Sequence, residues 1–240
     1  MKPCHSVDLG FIGYAEAFAL QSRIVAARKA GAIADVLLFC EHRPVITLGR
    51  NGKRENLLAS AHVLEQKSVE FYESDRGGDI TYHGPGQIVG YPIIDLGAIR
   101  RDVHWYVRML EEIMIRASAE FGISAFRVAG KTGIWVAQGA REEKLAAIGV
   151  HLSRWVTSHG FAYNVATDLR NFELIVPCGI ADCKATSLEK LLERRVPRNE
   201  VVPKLAQNFG AVFGLEPRDL PRREFLELLQ HAEQLAQASA

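Results

Sequence analysis

The stretch VEFYESDRGGDITYHGPGQIVGYPIIDL, residues 69–96, contains the pattern that decides the fold. Its first five residues and its last nine are rich in apolar and β-branched side chains, which is typical of strands. Residues 74–87, between these segments, include four glycines and a proline, which allow positive φ angles and close approach of the backbone to a ligand. The stretch therefore predicts two strands joined by a glycine-rich loop.

The composition of this loop favours a ligand-binding role over a purely structural one. A polar connection between two strands would explain the glycines, but Arg76 adds a fixed cation and His83 adds a group that can exchange a proton or bind a ligand. The loop matches neither the GxGxxG pattern nor the GxxxxGK[ST] phosphate loop. The sequence therefore predicts a binding loop without indicating a nucleotide.

On both sides of this stretch the chain alternates between strand-like and helical segments. Apolar side chains at helical spacing predict helices over residues 13–31 and 102–121, the second ended by Gly122. Short apolar runs predict further strands. These lie within residues 35–40, 45–48, 124–128, 133–137 and 145–152.

The carboxy-terminal part, from about residue 186, is predicted to be helical. It is divided by Pro197, Pro217 and Pro221, and residues 234–240 are expected to fray. No internal repeat, low-complexity tract or long linker divides the chain. We therefore expect one α+β domain over residues 1–240, a length that supports a single core.

Charge and cysteine content limit the classes of function. Lys and Arg number 29 and Asp and Glu 28, so nothing points to nucleic acid or a membrane surface as a partner. The amino terminus does not resemble a signal or transit peptide, and no run approaches ~20 apolar residues. Four irregularly spaced cysteines argue for a reducing, cytoplasmic setting.

Basic residues cluster in three segments of the sequence. Solvated surfaces are the preferred interpretation, and docking of an acidic protein is the alternative. The segments contain Arg100, Arg101 and Arg108; Arg194, Arg195 and Arg198; and Arg218, Arg222 and Arg223.

Cys178 has the local sequence expected of an accessible nucleophile. Pro177 stiffens the approach, and Gly179 leaves the sulfur uncrowded, so an acyl carbon could come within about 3–3.5 Å. The commoner role of a lone cysteine is a small buried apolar residue, which is the preferred interpretation of Cys178 from its local sequence alone and our interpretation of Cys183. No second pair of ligands at zinc spacing accompanies Cys178 and Cys183, so no metal is expected.

A thiol needs a partner to be reactive near neutral pH. Three histidines, His83, His151 and His159, are candidates. Lys144 is another, since partial burial at the start of an apolar strand would let a lysine transfer a proton. From the residues alone, a surface lysine at the end of a strand is the slightly preferred interpretation. Composition and spacing leave the choice between Lys144 and a histidine open.

Three motifs together resemble the octanoyltransferases of protein lipoylation, the lipoyl(octanoyl) transferase family. They are RGGDITYHGPGQIVGYPIIDL at residues 76–96, KLAAIGVHLSRWVTSHGFAYNV at 144–165 and VPCGI at 176–180. The resemblance spans about residues 35–190. The glycine-rich loop also resembles that of lipoate and biotin protein ligases, but a PCG cysteine placed 34 residues after the lysine distinguishes the transferases.

The resemblance implies a mixed β-sheet flanked by helices, similar to the catalytic domains of biotin and lipoate ligases. It also implies a thioester acyl-enzyme on Cys178 with Lys144 as its acid/base partner. The acyl group would be bound by Arg76, Gly77, Gly78, Asp79, Ile80, Thr81, Tyr82 and His83, by Ala147, Ile148 and Gly149, and by Gly160, Phe161 and Ala162.

The resemblance further implies the partners of the reaction. The donor would be octanoyl-acyl carrier protein, and the acceptors would be lipoyl domains of 2-oxoacid dehydrogenases and the glycine cleavage H protein. No cofactor is expected, because the acyl group arrives on the phosphopantetheine arm of the carrier. The alternatives are an ATP-dependent lipoate or biotin protein ligase and a non-catalytic protein that binds acyl groups or carrier domains.

Overall fold

The computed structural model of the chain describes residues 2–139, 141–177 and 184–238, which form strands and helices around a large β-sheet. The strands are β1 (Lys2–Ile12), β2 (Asp35–His42), β3 (Val45–Leu48), β4 (Glu70–Glu73), β5 (Ile80–His83), β6 (Gln87–Ile93), β7 (Ala125–Val128), β8 (Lys131–Gln138), β9 (Arg141–Ser153), β10 (Val156–Asn164), β11 (Lys184–Ala185) and β12 (Leu215–Asp219). The helices are α1 (Tyr14–Lys29), α2 (Ala61–Gln66), α3 (Val103–Ala119), α4 (Leu188–Leu192), α5 (Arg198–Phe213) and α6 (Arg222–Ala238).

The large sheet has the strand order β12-β1-β2-β6-β10-β9-β8-β7, with β11 added beside the start of β9. β1 is parallel to both of its neighbours, whereas β2, β6, β10, β9, β8 and β7 pair in antiparallel fashion. A smaller sheet, in the order β4-β3-β5, carries the glycine-rich segment. The predicted α+β fold with a mixed sheet flanked by helices is confirmed.

Strict alternation along the central strands gives the sheet two apolar faces. In β2, Leu37 and Phe39 pack into the core beneath α3 and α5, while Val36, Leu38 and Cys40 pack into the core beneath α1 and α6. Both faces are covered, so β2 reads as a continuous apolar run in the sequence. None of the helices in the described ranges is long and apolar enough to cross a membrane.

Some elements differ from the expectations from sequence. The glycine-rich segment contains a strand, β5, because residues 80–83 pair with β3. β1, β10 and β12 were not predicted, since polar side chains interrupt the apolar pattern of each. The last helix continues to Ala238 where fraying was expected from residue 234.

A buried ion pair joins the end of α1 to the start of β2 and the end of β6. Asp35 accepts hydrogen bonds from Arg28 Nε at 2.7 Å and from the backbone N–H of Asp95 at 3.0 Å, and its side chain is 7% exposed.

Replacing Asp35 with alanine should lower the free energy of unfolding by about 2 kcal/mol, because a part-buried guanidinium and a backbone N–H lose their acceptor. Urea denaturation measures the change. Glu70→Ala, an exposed carboxylate on β4, is the control and should stay within ~0.5 kcal/mol of the unmodified protein. Equal stability of the two variants would contradict the assigned role of Asp35.

Candidate active site

A cavity of about 650 Å³ lies between the large sheet, the glycine-rich segment and the first turns of α3. This volume is within the range of sites that enclose small ligands. Most residues predicted for the site line the cavity. They are Arg76, Gly77, Gly78, Asp79, Ile80, Thr81, His83, Lys144, Ala147, Ile148, Gly149, Gly160, Phe161 and Ala162.

Two predicted residues do not belong to this lining. Tyr82 does not line the cavity: its hydroxyl accepts a hydrogen bond from Asn171 at 3.0 Å, and its ring packs edge-on against Phe172. Tyr82 packs into the core of the small sheet, while its neighbours Thr81 and His83 line the cavity. Cys178 lies in residues 178–183, outside the described part of the chain.

The floor of the cavity is a trough of small residues on β9 and β10. Ala147 pairs with Ala162, and two residues further along Gly149 pairs with Gly160. All four line the cavity. Side chains two apart on a strand share a face, so these positions leave an open channel that runs along both strands. We call these four residues the trough.

Lys144 reaches the cavity because β9 contains a bulge. Ala146 pairs with Ile134 of β8, but Lys144 pairs with the next residue of β8, Trp135. Leu145 is therefore an extra residue on β9 with no partner on β8. Leu145 and Ala146 both pack into the core beneath α3. The extra residue therefore returns Lys144 to the face that carries the trough, which is a common use of a bulge near a functional site.

The surroundings of Lys144 are closely packed. Its side chain is buried, with Nζ 4.9 Å from the centre of the Trp135 ring. Gly133 lies alongside with φ +112°, and a Cβ there would come within 3.2 Å of Lys144 Cε and collide with the carbonyl oxygen of Ala146. The backbone N–H of Gly133 is held by the buried carboxylate of Glu111 at 3.1 Å. Glycine at position 133 therefore makes room for the lysine.

Arg76 and Gly77 form the roof over one end of the trough. The backbone N–H of Gly77 donates to Val150 O at 2.9 Å, and a Cβ on Gly149 would lie only 2.8 Å from Gly77 O. The buried guanidinium of Arg76 donates to Thr47 Oγ1 at 2.8 Å and to Thr47 O at 2.7 Å. The arginine therefore anchors the glycine-rich segment to the small sheet.

His83 is held in its neutral form. Burial, helped by the positive charge of Arg76 and by the neighbouring His42, lowers the pKa of His83 to about 3. Its Nδ1 lies 2.7 Å from Gln87 Oε1. Burial also lowers the pKa of His42 to about 4, with Nε2 2.7 Å from Tyr91 Oη. Neither imidazole carries a charge near neutral pH.

His159 lies at the far end of the trough from Lys144. It pairs with Val150, six residues along β9 from Lys144; one of these is the extra residue of the bulge, so five regular steps, or about 16 Å, separate the two positions. Its φ of +56° turns the ring onto the face beneath α1, where Nε2 bonds Asp75 Oδ1 at 2.7 Å. Burial lowers the pKa of His159 despite this carboxylate. Of the predicted partners of a thiol, Lys144 and His159 are therefore well separated.

The chain on both sides of residues 178–183 lies close to Lys144. Pro177 and Lys144 line the same small cavity next to the main one. After the gap, Ala185 pairs with Lys144, and the backbone N–H of Thr186 donates to Lys144 O at 2.9 Å. The two ends that bracket Cys178 are thus fixed at the lysine end of the trough.

The other thiols of the described chain are poor nucleophiles. Cys4 and Cys40 are buried, and burial raises the pKa of each thiol well above its usual value. Within residues 2–139, 141–177 and 184–238, no three His, Cys, Asp or Glu side chains are grouped as metal ligands.

Sequence analysis missed two groups of cavity residues. Tyr14 and Tyr91 line its inner end, and Tyr91 could have been found because it alternates with Val89, which also lines the cavity. Residues of α3 and the β7–β8 turn line its outer opening, and only the tertiary fold brings them there. These residues are Val103, His104, Val107, Arg108, Glu111, Val128, Gly130, Lys131 and Thr132.

The two neutral histidines predict a loss of stability in mild acid. Below about pH 6.5 the unfolded chain takes up protons at His42 and His83 that the folded chain excludes, so the free energy of unfolding falls as the pH drops. By pH 4.5 each histidine should lower the free energy of unfolding by on the order of 2 kcal/mol relative to its value at neutral pH. His83→Gln should therefore show a shallower decline between pH 6.5 and 4.5 than the unmodified protein.

Chemical denaturation at a series of pH values measures this slope. His62→Gln replaces an exposed histidine on α2 and should leave the slope as it is. If His83→Gln and the unmodified protein declined in parallel, the neutral state assigned to His83 would be wrong.

Comparison with known proteins identifies the family. Residues 13–210 match the family model described as the lipoyl protein ligase A/B catalytic domain. An octanoyltransferase of Acidobacterium capsulatum is 52% identical, covering 87% of this chain and 89% of the relative, and one of Koribacter versatilis is 48% identical, covering 90% and 92%. The lipoate protein ligase of Thermoplasma acidophilum has the same fold, with a TM-score of 0.75 at 16% identity over 99% of this chain and 93% of that one. The chain therefore belongs to the lipoyl protein ligase A/B catalytic domain family and, like its octanoyltransferase relatives, is an acyltransferase.

Proposed function

We propose that this chain transfers an octanoyl group from a carrier thioester to a lysine of a lipoyl domain through a thioester on Cys178. One observation carries the proposal: the trough of small residues lies next to Lys144 in one cavity, and the chain that follows Cys178 resumes beside Lys144 on β9. A trough without side-chain obstruction suits an unbranched alkyl chain, and each CH₂ that it removes from water contributes about 0.8 kcal/mol. The octanoyltransferase relatives support the choice of acyl group.

In the first step the Cys178 thiolate attacks the carbonyl carbon of the donor thioester. The bond between that carbon and the donor sulfur breaks, and the departing thiolate takes a proton from the Lys144 ammonium. The acyl group is then held on Cys178 and Lys144 is neutral.

In the second step the amine of the acceptor lysine attacks the Cys178 thioester. Neutral Lys144 accepts the proton that the new amide nitrogen loses, and Cys178 leaves as a thiolate. The enzyme returns to its starting charge state. Exchange of one thioester for another is nearly thermoneutral and amide formation from a thioester is downhill, so the scheme needs no ATP and no cofactor.

The proposed donor is octanoyl-acyl carrier protein, and the proposed acceptors are lipoyl domains of 2-oxoacid dehydrogenases and the glycine cleavage H protein. Of the three basic segments, the one at residues 100–108 adjoins the outer opening of the cavity, since Val103, His104 and Arg108 line it. Arginines of all three segments pair with carboxylates of this chain, as Arg108 does with Glu111, Arg198 with Asp8 and Arg222 with Glu16, so position relative to the opening is what distinguishes the first segment. The first segment is therefore the best placed to receive an acidic carrier.

Incubation with octanoyl-carrier protein in the absence of ATP should add one octanoyl mass to Cys178. Cys178→Ser should lose this thioester. Lys144→Met should slow its formation at least about 100-fold, the scale of a general acid/base contribution. Intact-mass spectrometry of the protein follows the adduct over time.

Lys190→Met is the matched control. Lys190 bonds Glu143, the residue before Lys144, at 2.7 Å on the surface, so its loss should change the rate by less than about threefold. Adduct formation that depends on ATP would favour a ligase, and a chain that binds octanoyl-carrier protein without any adduct would be a non-catalytic relative.

Reversing the charge at Arg101, an exposed residue beside the cavity opening, should raise KM for an acidic carrier several-fold and leave kcat unchanged. The attraction between surface charges is screened by salt, so the difference from the unmodified protein should shrink between 50 and 300 mM salt, taken as approximate limits. Steady-state transfer rates at varied carrier concentration measure both effects.

Arg223→Glu makes the same charge reversal at an exposed arginine on α6, far from this opening, and serves as the control. Equal KM values for the two variants would place carrier docking elsewhere.

A further inference from the structure

The cavity has an open end and a closed end. At the open end the lining is exposed and charged, with Val103 40% exposed and Arg108 and Lys131 nearby. At the closed end the lining residues are buried aromatic rings. We call Tyr14, Tyr91 and His159 the end wall, and each is at most 3% exposed.

The end wall presents ring surfaces while its polar atoms are bonded to residues behind it. Tyr91 Oη lies 2.7 Å from His42 Nε2, His159 Nε2 lies 2.7 Å from Asp75 Oδ1, and Tyr14 Oη lies 2.8 Å from Ser74 Oγ. A terminal methyl group that reached these rings would leave these three hydrogen bonds intact. The closed end is therefore suited to an apolar chain terminus.

Strand register gives the length of the channel between the lysine and this wall. At one end of the channel, Asn164 and Lys144 line the small cavity. At the other end lies Gly160: β6 and β10 are antiparallel and Gly90 pairs with Phe161, so Tyr91 is opposite Gly160. From Asn164 to Gly160 is four residues, or about 13 Å at the rise of a strand.

An extended alkyl chain advances roughly 1.3 Å for each carbon–carbon bond of about 1.5 Å. The seven bonds of an octanoyl group therefore span about 9 Å, which with the radius of the terminal methyl fits the channel. A dodecanoyl group spans about 14 Å before its methyl radius is added and does not fit.

We propose that Tyr91 determines acyl-chain length by closing the trough opposite Gly160. This inference rests on the proposed function and deepens it, because it assigns the selectivity for medium-chain acyl groups to one side chain. Tyr91 is placed for this role because it stands on β6 beside the trough and faces the same side as Val89. The hydrogen bond to His42 fixes its ring in that position.

Shortening the side chain should extend the channel. In Tyr91→Leu and Tyr91→Ala, the ratio of kcat/KM for dodecanoyl-carrier protein to kcat/KM for octanoyl-carrier protein should rise at least about tenfold, since the added methylenes gain burial. Tyr91→Phe keeps the ring and should leave this ratio within about twofold of the unmodified protein. Acyl-enzyme formation with matched carrier thioesters gives the ratios.

Ala162→Leu tests the same relation between channel length and acyl-chain length by shortening the channel. A larger side chain midway along the trough should raise the ratio of hexanoyl to octanoyl transfer at least about tenfold. This variant keeps the inference testable if the Tyr91 replacements do not fold.

The inference and the proposed function fail in different ways. Octanoyl transfer with an unchanged length profile in Tyr91→Leu, or in Ala162→Leu, would overturn the role of the end wall and leave the transferase intact. A change as large in Tyr91→Phe as in Tyr91→Leu would also overturn it. Absence of any acyl-enzyme from the unmodified protein, with every chain length, would instead overturn the proposed function.

Discussion

The close approach of the glycine-rich segment to β9 is the constraint on which the site depends. Gly77 bonds Val150, and the missing side chain of Gly149 gives the segment room to lie directly on the strand. A Cβ at position 149 would lie 2.8 Å from Gly77 O and 3.0 Å from Arg76 Cδ, so any other residue there would force the roof away from the strand. Arg76 holds the same segment from behind through Thr47. A guanidinium that sequence reasoning assigned to the ligand is therefore also bonded to the scaffold.

The second constraint is the extra residue in β9. A regular strand would alternate so that Lys144 and Ala147 faced opposite sides of the sheet. The bulge at Leu145 puts both on one side. Gly133 on β8 has no side chain, which leaves room for Lys144 beside it. The reacting end of the cavity is thus built from an irregularity in pairing, while the channel that leads away from it is built from regular pairing. The position of the reacting end and the length of the channel are therefore set by separate features of the sheet.

Much of this arrangement could be predicted from sequence, for reasons that are local. The apolar run at β2, the helix at α3 and the glycine-rich segment each have a pattern that a single stretch contains. β10 was missed because His159 and Gly160 interrupt its alternation, although it is the central strand of the site. β1 and β12 were missed because polar residues alternate irregularly in both, and only their pairing makes them strands.

Site residues could likewise be predicted where a local motif contains them and not where only the tertiary fold brings them together. The site residues predicted within the three motifs line the cavity, apart from Tyr82, which packs into the core of the small sheet, and Cys178, which is outside the described residues. Tyr14 and the residues at the start of α3 arrive from distant parts of the chain, so no motif of the cavity contains them. The relation between Lys144 and Cys178 remains a prediction, since residue 178 is not among those described.

The pairing of β12 with β1 has a consequence for how the protein is made. β1 leaves the ribosome about 200 residues before its outer neighbour, β12. At 5–20 residues per second, the nascent chain carries an unpaired parallel edge for roughly 10 to 40 s. Such an edge can pair with other chains in the meantime. Protection of this edge during synthesis is therefore a requirement separate from the stability of the finished sheet.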